Sequence, residues 1–348
     1  MVLASRLRAQ LVTGVPGESV ESVVERLLAL QAQDLKGARL AVRIRSRGVT
    51  AADFDLALTE RRSVVVTWLN RGTLHLVPSA DYWWLRSLTV PRLVTASRRR
   101  LAQEGVSAAD AERGVAVVAE EVSARPRTRA ELKAALDEIG IRTAGQAFVH
   151  ILVAASIATP LVRGPLLPGE HCFVNARNWL GTQPEELDPD EALRLLALRY
   201  LAGHGPAGSA DLAKWAGIGL LDARRGLAAA GDQVSRISED LFDLTGREPS
   251  AVFPPPRLAG PFDPLLHGWS SNSEILAGHT GIVTTNGLFR PFALIDGRAV
   301  ATWGLASGRI TIRPLQDLSS AARESLTAEA AAVLEYLGLP ATPVSFDP

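Results

Sequence analysis

The chain has 348 residues, of which 47% are hydrophobic and 21% are charged, a composition typical of globular proteins that excludes an intrinsically disordered one. The length predicts two or three domains. The formal net charge is zero, so no overall positive charge favours nucleic acid, although basic residues can still be concentrated on one surface.

The first strong helical pattern is predicted over residues 18–31, with Ser19 as a capping residue. Gln31 continues the apolar face of this helix, so we expect its carboxamide to point into packed structure. We also expect the helix to end at the motif, with an extended residue at Ala32 that brings Gln33 to the same side. The segment 34–37 is interpreted as the helix stop.

Three parts of the chain combine helices with a β-hairpin, which is the outline of a winged helix. The first has a helix capped by Thr50 and two strands around the turn Asn70-Arg71-Gly72. The predicted elements are helix 51–59 with strands 63–69 and 73–77, helices 129–139 and 143–157 with a wing at 164–169, and helices 210–216 and 220–230 with wing strands 233–237 and 241–245.

The C-terminal part reads as a strand-rich segment closed by a helix. A proline-rich stretch, 247–260, is a linker or an ordered extended segment. Four strand-like runs follow at 282–285, 289–295, 299–303 and 309–314, and then a helix at 318–337. The predicted fold class is α+β, with winged-helix units at 1–100, 101–185 and 186–246 and a strand-rich segment at 247–348.

The single cysteine and the apolar runs bear on where the protein works. Cys172 has no second cysteine to pair with, which fits a reducing compartment. The first residues lack the apolar run of a signal peptide, and the longest apolar stretch, 148–157, is too short for a membrane span. We therefore expect a cytoplasmic protein that does not bind a membrane.

The motif Gln31-Ala32-Gln33 is polar surface in most sequences, and its spacing alone does not indicate chemistry. Its context is more specific. The segments around the motif and the C-terminal part together resemble the AlkZ-like family of bacterial DNA glycosylases over nearly the whole chain. The segments that carry the resemblance are Leu27 to Asp34, Ala38-Arg39, Thr67 to Val77, Pro261 to Leu266 and Gly297 to Trp303.

The resemblance implies three tandem winged helices around duplex DNA and a catalytic motif of glutamine, an aliphatic residue and glutamine. Gln31 and Gln33 match that motif and would act jointly. The implied reaction is hydrolytic excision of N7-alkylated purines, including bulky adducts and interstrand crosslinks made by genotoxic natural products, in base excision repair or self-resistance. No cofactor is expected, and the partner is double-stranded DNA, bound by a nucleoid-associated monomer.

Neighbouring polar residues are candidates for the pocket or for DNA contact. Asp34 is either a general base or a turn cap, and His75 either touches DNA or is a structural histidine. We also include Asn70, Arg71 and Thr73. Lys36 raises the question of a Schiff-base lyase, but a lysine in a loop is usually solvated, so we expect a monofunctional enzyme.

Basic residues provide candidates for binding the DNA backbone, and the histidines show no spacing typical of a metal site. Asn286, in a predicted hairpin turn, could probe a groove. The DNA-binding candidates are Arg39, Arg98, Arg99, Arg100, Arg127, Arg129, Asn286 and Arg290. A non-catalytic winged-helix regulator or a drug-sequestering protein remains the alternative, because helix-hairpin units fit that role equally well.

Overall fold

A computed structural model describes residues 1–167, 170–285 and 287–347. The helices are α1 (Val2–Ala9), α2 (Val20–Leu27), α3 (Leu35–Arg43), α4 (Ala51–Thr59), α5 (Tyr82–Thr89), α6 (Val94–Gln103), α7 (Ala108–Ala124), α8 (Arg129–Glu138), α9 (Ala147–Ala158), α10 (Ala176–Leu180), α11 (Pro189–His204), α12 (Ser209–Ala216), α13 (Leu220–Ala229), α14 (Ser273–Leu276) and α15 (Ser320–Tyr336). The strands are β1 (Leu30–Gln31), β2 (Val64–Leu69), β3 (Thr73–Pro78), β4 (Leu161–Leu167), β5 (Glu170–Asn175), β6 (Val234–Ser238), β7 (Leu241–Leu244), β8 (Arg257–Ala259), β9 (Phe292–Ile295), β10 (Arg298–Ala306), β11 (Arg309–Pro314) and β12 (Ser345–Phe346).

The chain forms two compact units, each discontinuous in sequence. The first comprises Met1–Phe54, Leu193–Trp215 and Gly219–Pro348. The second comprises Asp55–Ala192 and Ala216–Ile218. The Gln31 motif therefore belongs to the first unit, and the hairpin that carries His75 belongs to the second.

The core of the first unit lies between a mixed sheet and two helices. Its strand order is β12-β11-β10-β9-β8, with β11 and β12 parallel and the other pairs antiparallel. Leu40 of α3 and Leu326 of α15 pack with strand residues such as Trp303 in one buried cluster. Burial of these apolar groups stabilises the first unit. It also holds α3, the helix that follows the Gln31 motif, against the sheet.

Most of the predicted helix-hairpin pattern near residue 210 belongs to the first unit, and residues 216–218 at its turn belong to the second. Helix α12 is followed by α13, and Gly217 between them has φ +69°, a conformation that favours glycine. Strands β6 and β7 then form an antiparallel hairpin, as predicted.

The second unit is built on an antiparallel sheet, in which β2 to β5 lie in the order β3-β2-β4-β5. Strands β2 and β3 pair from Val64 with Pro78 to Leu69 with Thr73, so the predicted hairpin is confirmed. The Thr128 hydroxyl accepts from the Glu131 backbone N–H, and the Glu131 carboxylate accepts from the Thr128 backbone N–H. This capping box confirms the predicted cap of α8. The predicted wing at 164–169 is mostly strand, and residues 168 and 169 lie outside the described part.

Three expectations about elements are wrong, one of which, the helix stop predicted at 34–37, is the start of α3. Helix α2 ends at Leu27 rather than at Gln31. The run 282–285 is not a strand: Val283 makes only an isolated bridge with Phe289. Residues 28–30 continue the apolar pattern of the helix, and residues 282–285 are all β-branched; neither local property distinguishes regular structure from a buried irregular segment.

The α+β class is confirmed. The arrangement as three tandem winged helices and the four-part division of the chain stay predictions. Within the described residues, no helix combines the length and the apolar character that crossing a membrane requires.

Candidate functional site

The end of α2 sets the position of the Gln31 motif. The helix begins with a capping box between Ser19 and Ser22 and buries Val20, Val23, Val24 and Leu27. It ends because Leu28 adopts φ +62°, which is rare for a residue with a side chain. Leu28 is fully buried, so packing of its side chain compensates for the backbone strain. The chain then runs extended through Gln31.

The Gln31 carboxamide is buried, with 7% of the residue exposed. Its Oε1 atom has no hydrogen-bond partner among the described residues. An unsatisfied buried acceptor costs about 1–3 kcal/mol, which is unusual enough to require an explanation. The expectation that Gln31 points inward is confirmed, although an extended segment rather than a helix places it there. Gln33 is exposed.

Asp34 begins the next helix. Its Oδ1 accepts a hydrogen bond of 2.9 Å from the backbone N–H of Lys36 and caps α3. The segment 34–37 therefore starts a helix, and the prediction of a helix stop is wrong. Lys36 lies exposed in the first turn of α3 rather than in a loop.

Close contacts hold α3, the helix that follows the motif, in place. A Cβ atom on Gly37 would overlap the carbonyl oxygen of Pro261, so only glycine permits this approach. Arg43 donates two hydrogen bonds, of 2.6 and 3.0 Å, to the carboxylate of Glu329 on α15. The Tyr336 hydroxyl donates to the carbonyl oxygen of Arg39 at 2.9 Å.

A fully buried polar network lies at the end of α3. Arg45 donates to both carboxylate oxygens of Asp263, at 2.7 and 2.9 Å, and to the Gln10 Oε1 atom at 2.7 Å. All three residues are 0% exposed. Sequence analysis identified none of these pairings, because their partners are 35 and 218 residues apart. The only signal was the segment Pro261 to Leu266, which carries the family resemblance.

In the second unit, the turn of the β2–β3 hairpin contains more polar atoms without partners. The two amide atoms of Asn70 and the Thr73 Oγ1 atom are buried and have no hydrogen-bond partner among the described residues. Asn70 has φ +53° and Gly72 has φ +82°, which closes the turn. Arg71 lies exposed between them.

His75 follows on β3 and is 3% exposed. Its Nδ1 atom lies 2.8 Å from the Thr73 carbonyl oxygen. Because a carbonyl can only accept, Nδ1 carries the proton of the neutral ring and Nε2 is an acceptor. Burial lowers the pKa of His75 to about 3, and the charge of Arg71 contributes to that lowering. His75 is therefore neutral at physiological pH.

The basic candidates differ in their surroundings. Arg98, Arg99 and Arg100 are exposed on α6. Arg127 forms an ion pair with Glu121. The remaining candidates are Arg39, which lies over the Phe54 ring at 5.4 Å; Arg129, which lies over Phe148 at 4.7 Å; Arg290, which is exposed; and Asn286, which lies outside the described residues.

No group of three or more histidine, cysteine, aspartate or glutamate side chains could hold a metal ion in the described part of the chain. The first unit contributes the Gln31 carboxamide, and the second contributes the Asn70 carboxamide, the neutral His75 imidazole and the exposed guanidinium groups of α6. Amides can position water, and guanidinium groups can contact phosphate.

Comparison with known proteins identifies the family and covers most of the chain. Residues 24–336 match the model of the family described as "DNA glycosylase AlkZ-like". The solved structure of Streptomyces sahachiroi DNA glycosylase AlkZ is similar in fold, with a TM-score of 0.76 and 24% sequence identity, over 99% of this chain and 98% of that one. A search of curated proteins finds no significant match. Because the family model spans most of the sequence, the chain belongs to the AlkZ-like family of DNA glycosylases.

Proposed function

We propose that the protein hydrolyses the N-glycosidic bond of N7-alkylated purines in double-stranded DNA, with Gln31 and Gln33 as the catalytic residues. The observation that carries the proposal is the buried Gln31 Oε1 atom, which has no hydrogen-bond partner among the described residues. Membership of a family of DNA glycosylases supports a role in base excision. An acceptor left free inside a protein is available to water or to a positively charged substrate.

The chemistry needs little acid catalysis. Alkylation at N7 places a positive charge on the purine and weakens its glycosidic bond, so the sugar develops oxocarbenium character as the base leaves. A carboxamide oxygen can orient a water molecule and present the negative end of its dipole to that charge. Gln31 supplies such an oxygen from a fixed position, and the exposed Gln33 completes the motif two residues later.

The proposal includes hydrolysis without strand cleavage. A lyase requires a desolvated lysine beside the sugar, whereas Lys36 is exposed. The Asp34 carboxylate already accepts the Lys36 backbone N–H. A capping role for Asp34 leaves the two amides as the groups that handle water.

DNA is proposed to contact the exposed arginines of α6 and the exposed residues Leu288 and Arg290. Arg98, Arg99 and Arg100 offer three positive charges to phosphate. Leu288 is 53% exposed, and Arg290, two residues later, is also exposed, which suits contact with a groove. Bulky adducts and interstrand crosslinks are the proposed lesions, and self-resistance or base excision repair by a cytoplasmic, nucleoid-associated monomer is the proposed setting.

The test is an excision assay. A duplex containing N7-methylguanine is incubated with the protein, and abasic sites are revealed by alkaline cleavage. We expect strand breaks only after alkali, and loss of product for Gln31→Ala combined with Gln33→Ala. Gln316→Ala, an exposed glutamine in the same unit, is the control and should leave the rate unchanged.

Three outcomes contradict the proposal. Full activity of the double variant removes the motif from the mechanism, and strand breaks without alkali remove the hydrolytic assignment. Binding of undamaged duplex without excision of any adduct supports the alternative, a non-catalytic regulator or drug-sequestering protein. The helix–turn–helix outline of α12 and α13, followed by the β6–β7 hairpin, favours that alternative.

A further inference from the structure

An open cleft lies between three helices of the second unit, and of its lining residues only Arg98 belongs to the proposed DNA contacts. The cleft lies between α6, α7 and α9 and has a volume of about 600 Å³. On α6 it is lined by Val94, Ser97, Arg98 and Leu101, which are spaced as one face of a helix. On this face Ser97 and Leu101 are buried, whereas Arg98 is exposed, so the cleft has a packed floor and opens to solvent.

Small side chains on the other two helices leave the space unfilled. Helix α7 contributes Ala108, Ala111 and Val115, and α9 contributes Ala154, Ile157 and Ala158. Ala108 and Ala158 are exposed, so the cleft is open to solvent, and the short alanine side chains leave room for an apolar ligand. Binding pockets for small molecules fall in the same size range and are likewise mostly apolar with a few polar groups.

The polar lining of the cleft includes a hydroxyl without a partner. The Ser97 Oγ atom is buried, with 7% of the residue exposed, and has no hydrogen-bond partner among the described residues. A serine in a helix commonly bonds a carbonyl one turn earlier, but Ser97 does not. Arg98 and Glu112 are exposed and line the cleft from α6 and α7. Their opposite charges make the polar lining neutral overall.

We propose that this cleft binds a neutral small molecule with an apolar body and a polar head that both donates and accepts hydrogen bonds. The apolar body occupies the space beside the alanines. The head bonds Ser97 and lies within reach of Arg98 and Glu112. A net charge of either sign on the ligand is disfavoured, because its attraction to one of these two side chains is offset by repulsion from the other while the charge loses hydration in the apolar cleft.

Three ligands with the same aromatic body test the proposal in the absence of DNA. Indole-3-acetamide is neutral, indole-3-acetate is an anion and tryptamine is a cation. Ligand-observed NMR titration of the full-length protein should give a Kd below about 1 mM for the amide. We expect the two charged analogues to bind at least about fivefold more weakly.

Variants locate the binding. Ala111→Trp and Ala158→Trp fill the cleft from different helices and should abolish binding, whereas Ala116→Trp, which is exposed on α7 and outside the cleft, should not. Ser97→Ala should weaken binding about five- to tenfold, the effect of one hydrogen bond. Circular dichroism verifies the folding of each variant. If one tryptophan variant unfolds, binding to the other tryptophan variant and to Ser97→Ala tests the proposal.

Each remaining outcome overturns the proposal. It is wrong if the amide shows no saturable binding, if the folded tryptophan variants bind as well as the wild type, or if a charged analogue binds more tightly than the amide.

Discussion

Gly37 and Pro261 touch backbone to backbone, and their close approach leaves no room for a side chain on residue 37. Gly37 lies in the first turn of α3, four residues after Gln33, so this approach also positions the end of the motif. A pair of residues 224 positions apart in the sequence thus helps to fix the site.

Gly37→Ala should therefore harm both stability and activity. Forcing an extra carbon into closely packed structure costs about 1–3 kcal/mol in the free energy of unfolding, and displacement of α3 should lower the excision rate. Urea denaturation and the abasic-site assay measure the two effects. Gly304→Ala, where no atom lies within 4 Å of the new carbon, is the matched control. Equal stability of both variants contradicts the prediction.

Gln31→Leu should separate stability from activity. The substitution keeps a similar volume and removes an oxygen that has no partner among the described residues, so we expect the free energy of unfolding to rise by about 1 kcal/mol. The excision rate should fall about 10²–10³-fold, as when one preorganised polar group is removed from an active site.

The comparison is Gln10→Leu, at another buried glutamine of the first unit. Gln10 accepts from Arg45 at 2.7 Å and donates to the Pro264 carbonyl at 3.4 Å, so its loss should destabilise the fold. Destabilisation by Gln31→Leu of the same size as by Gln10→Leu would show that Gln31 is a structural residue.

Two buried histidines should make stability fall as the pH is lowered. Burial lowers the pKa of His75 and of His204 to about 3, whereas histidine in an unfolded chain titrates near 6.5. The unfolded state therefore takes up protons between pH 6.5 and about 3 and the folded state does not. The free energy of unfolding should fall by up to about 1.4 kcal/mol per pH unit for each histidine across this window.

Urea denaturation at about pH 7.5, 6 and 5 tests this dependence, since most carboxylates stay ionised over that range. His75→Gln keeps a neutral polar side chain. It should reduce the slope of the free energy of unfolding against pH by the contribution of one histidine. An unchanged slope in this variant means that His75 is accessible to protons in the folded state.

The arginines of α6 should supply part of the salt-dependent binding to DNA. Replacing Arg98, Arg99 and Arg100 by glutamine should weaken binding to any duplex and reduce the slope of log K against log salt by about 0.9 for each phosphate that is no longer neutralised. Arg127→Gln is the comparison: its charge is paired with Glu121, so it should affect stability rather than DNA binding. Fluorescence anisotropy at several salt concentrations distinguishes the two. If the slope of log K against log salt is unchanged in the triple variant, these three arginines do not contact DNA phosphates.

Local signals in the sequence predict the elements well. Thr128 with Glu131, and Thr50 with Asp53, are caps within a few residues of the helices that they begin. The β2–β3 hairpin likewise follows from β-branched residues on both sides of a short turn with glycine. Each of these features depends on neighbours in the chain, which a single sequence displays.

The geometry of the site depends on distant neighbours, and a single sequence does not display them. Nothing near Leu28 marks it as the end of a helix, because Leu28, Ala29 and Leu30 continue an apolar run that is buried throughout. The pairing of Arg43 with Glu329 could not be predicted either, because the two residues lie 286 positions apart in the sequence. The inward orientation of Gln31 could be predicted, since burial follows from the apolar pattern, but the extended backbone that provides it could not.

The turn at Leu28 has a consequence for how this site tolerates insertions and deletions. In a continuous helix, one inserted residue would rotate everything after it by about 100° and would aim Gln31 at a different neighbour. Here α2 stops before the motif, and Asp34 starts an independent helix after it. The direction of the amide is thus uncoupled from the length of the helix before it, so inserting or deleting a turn of α2 should leave the orientation of the Gln31 amide unchanged.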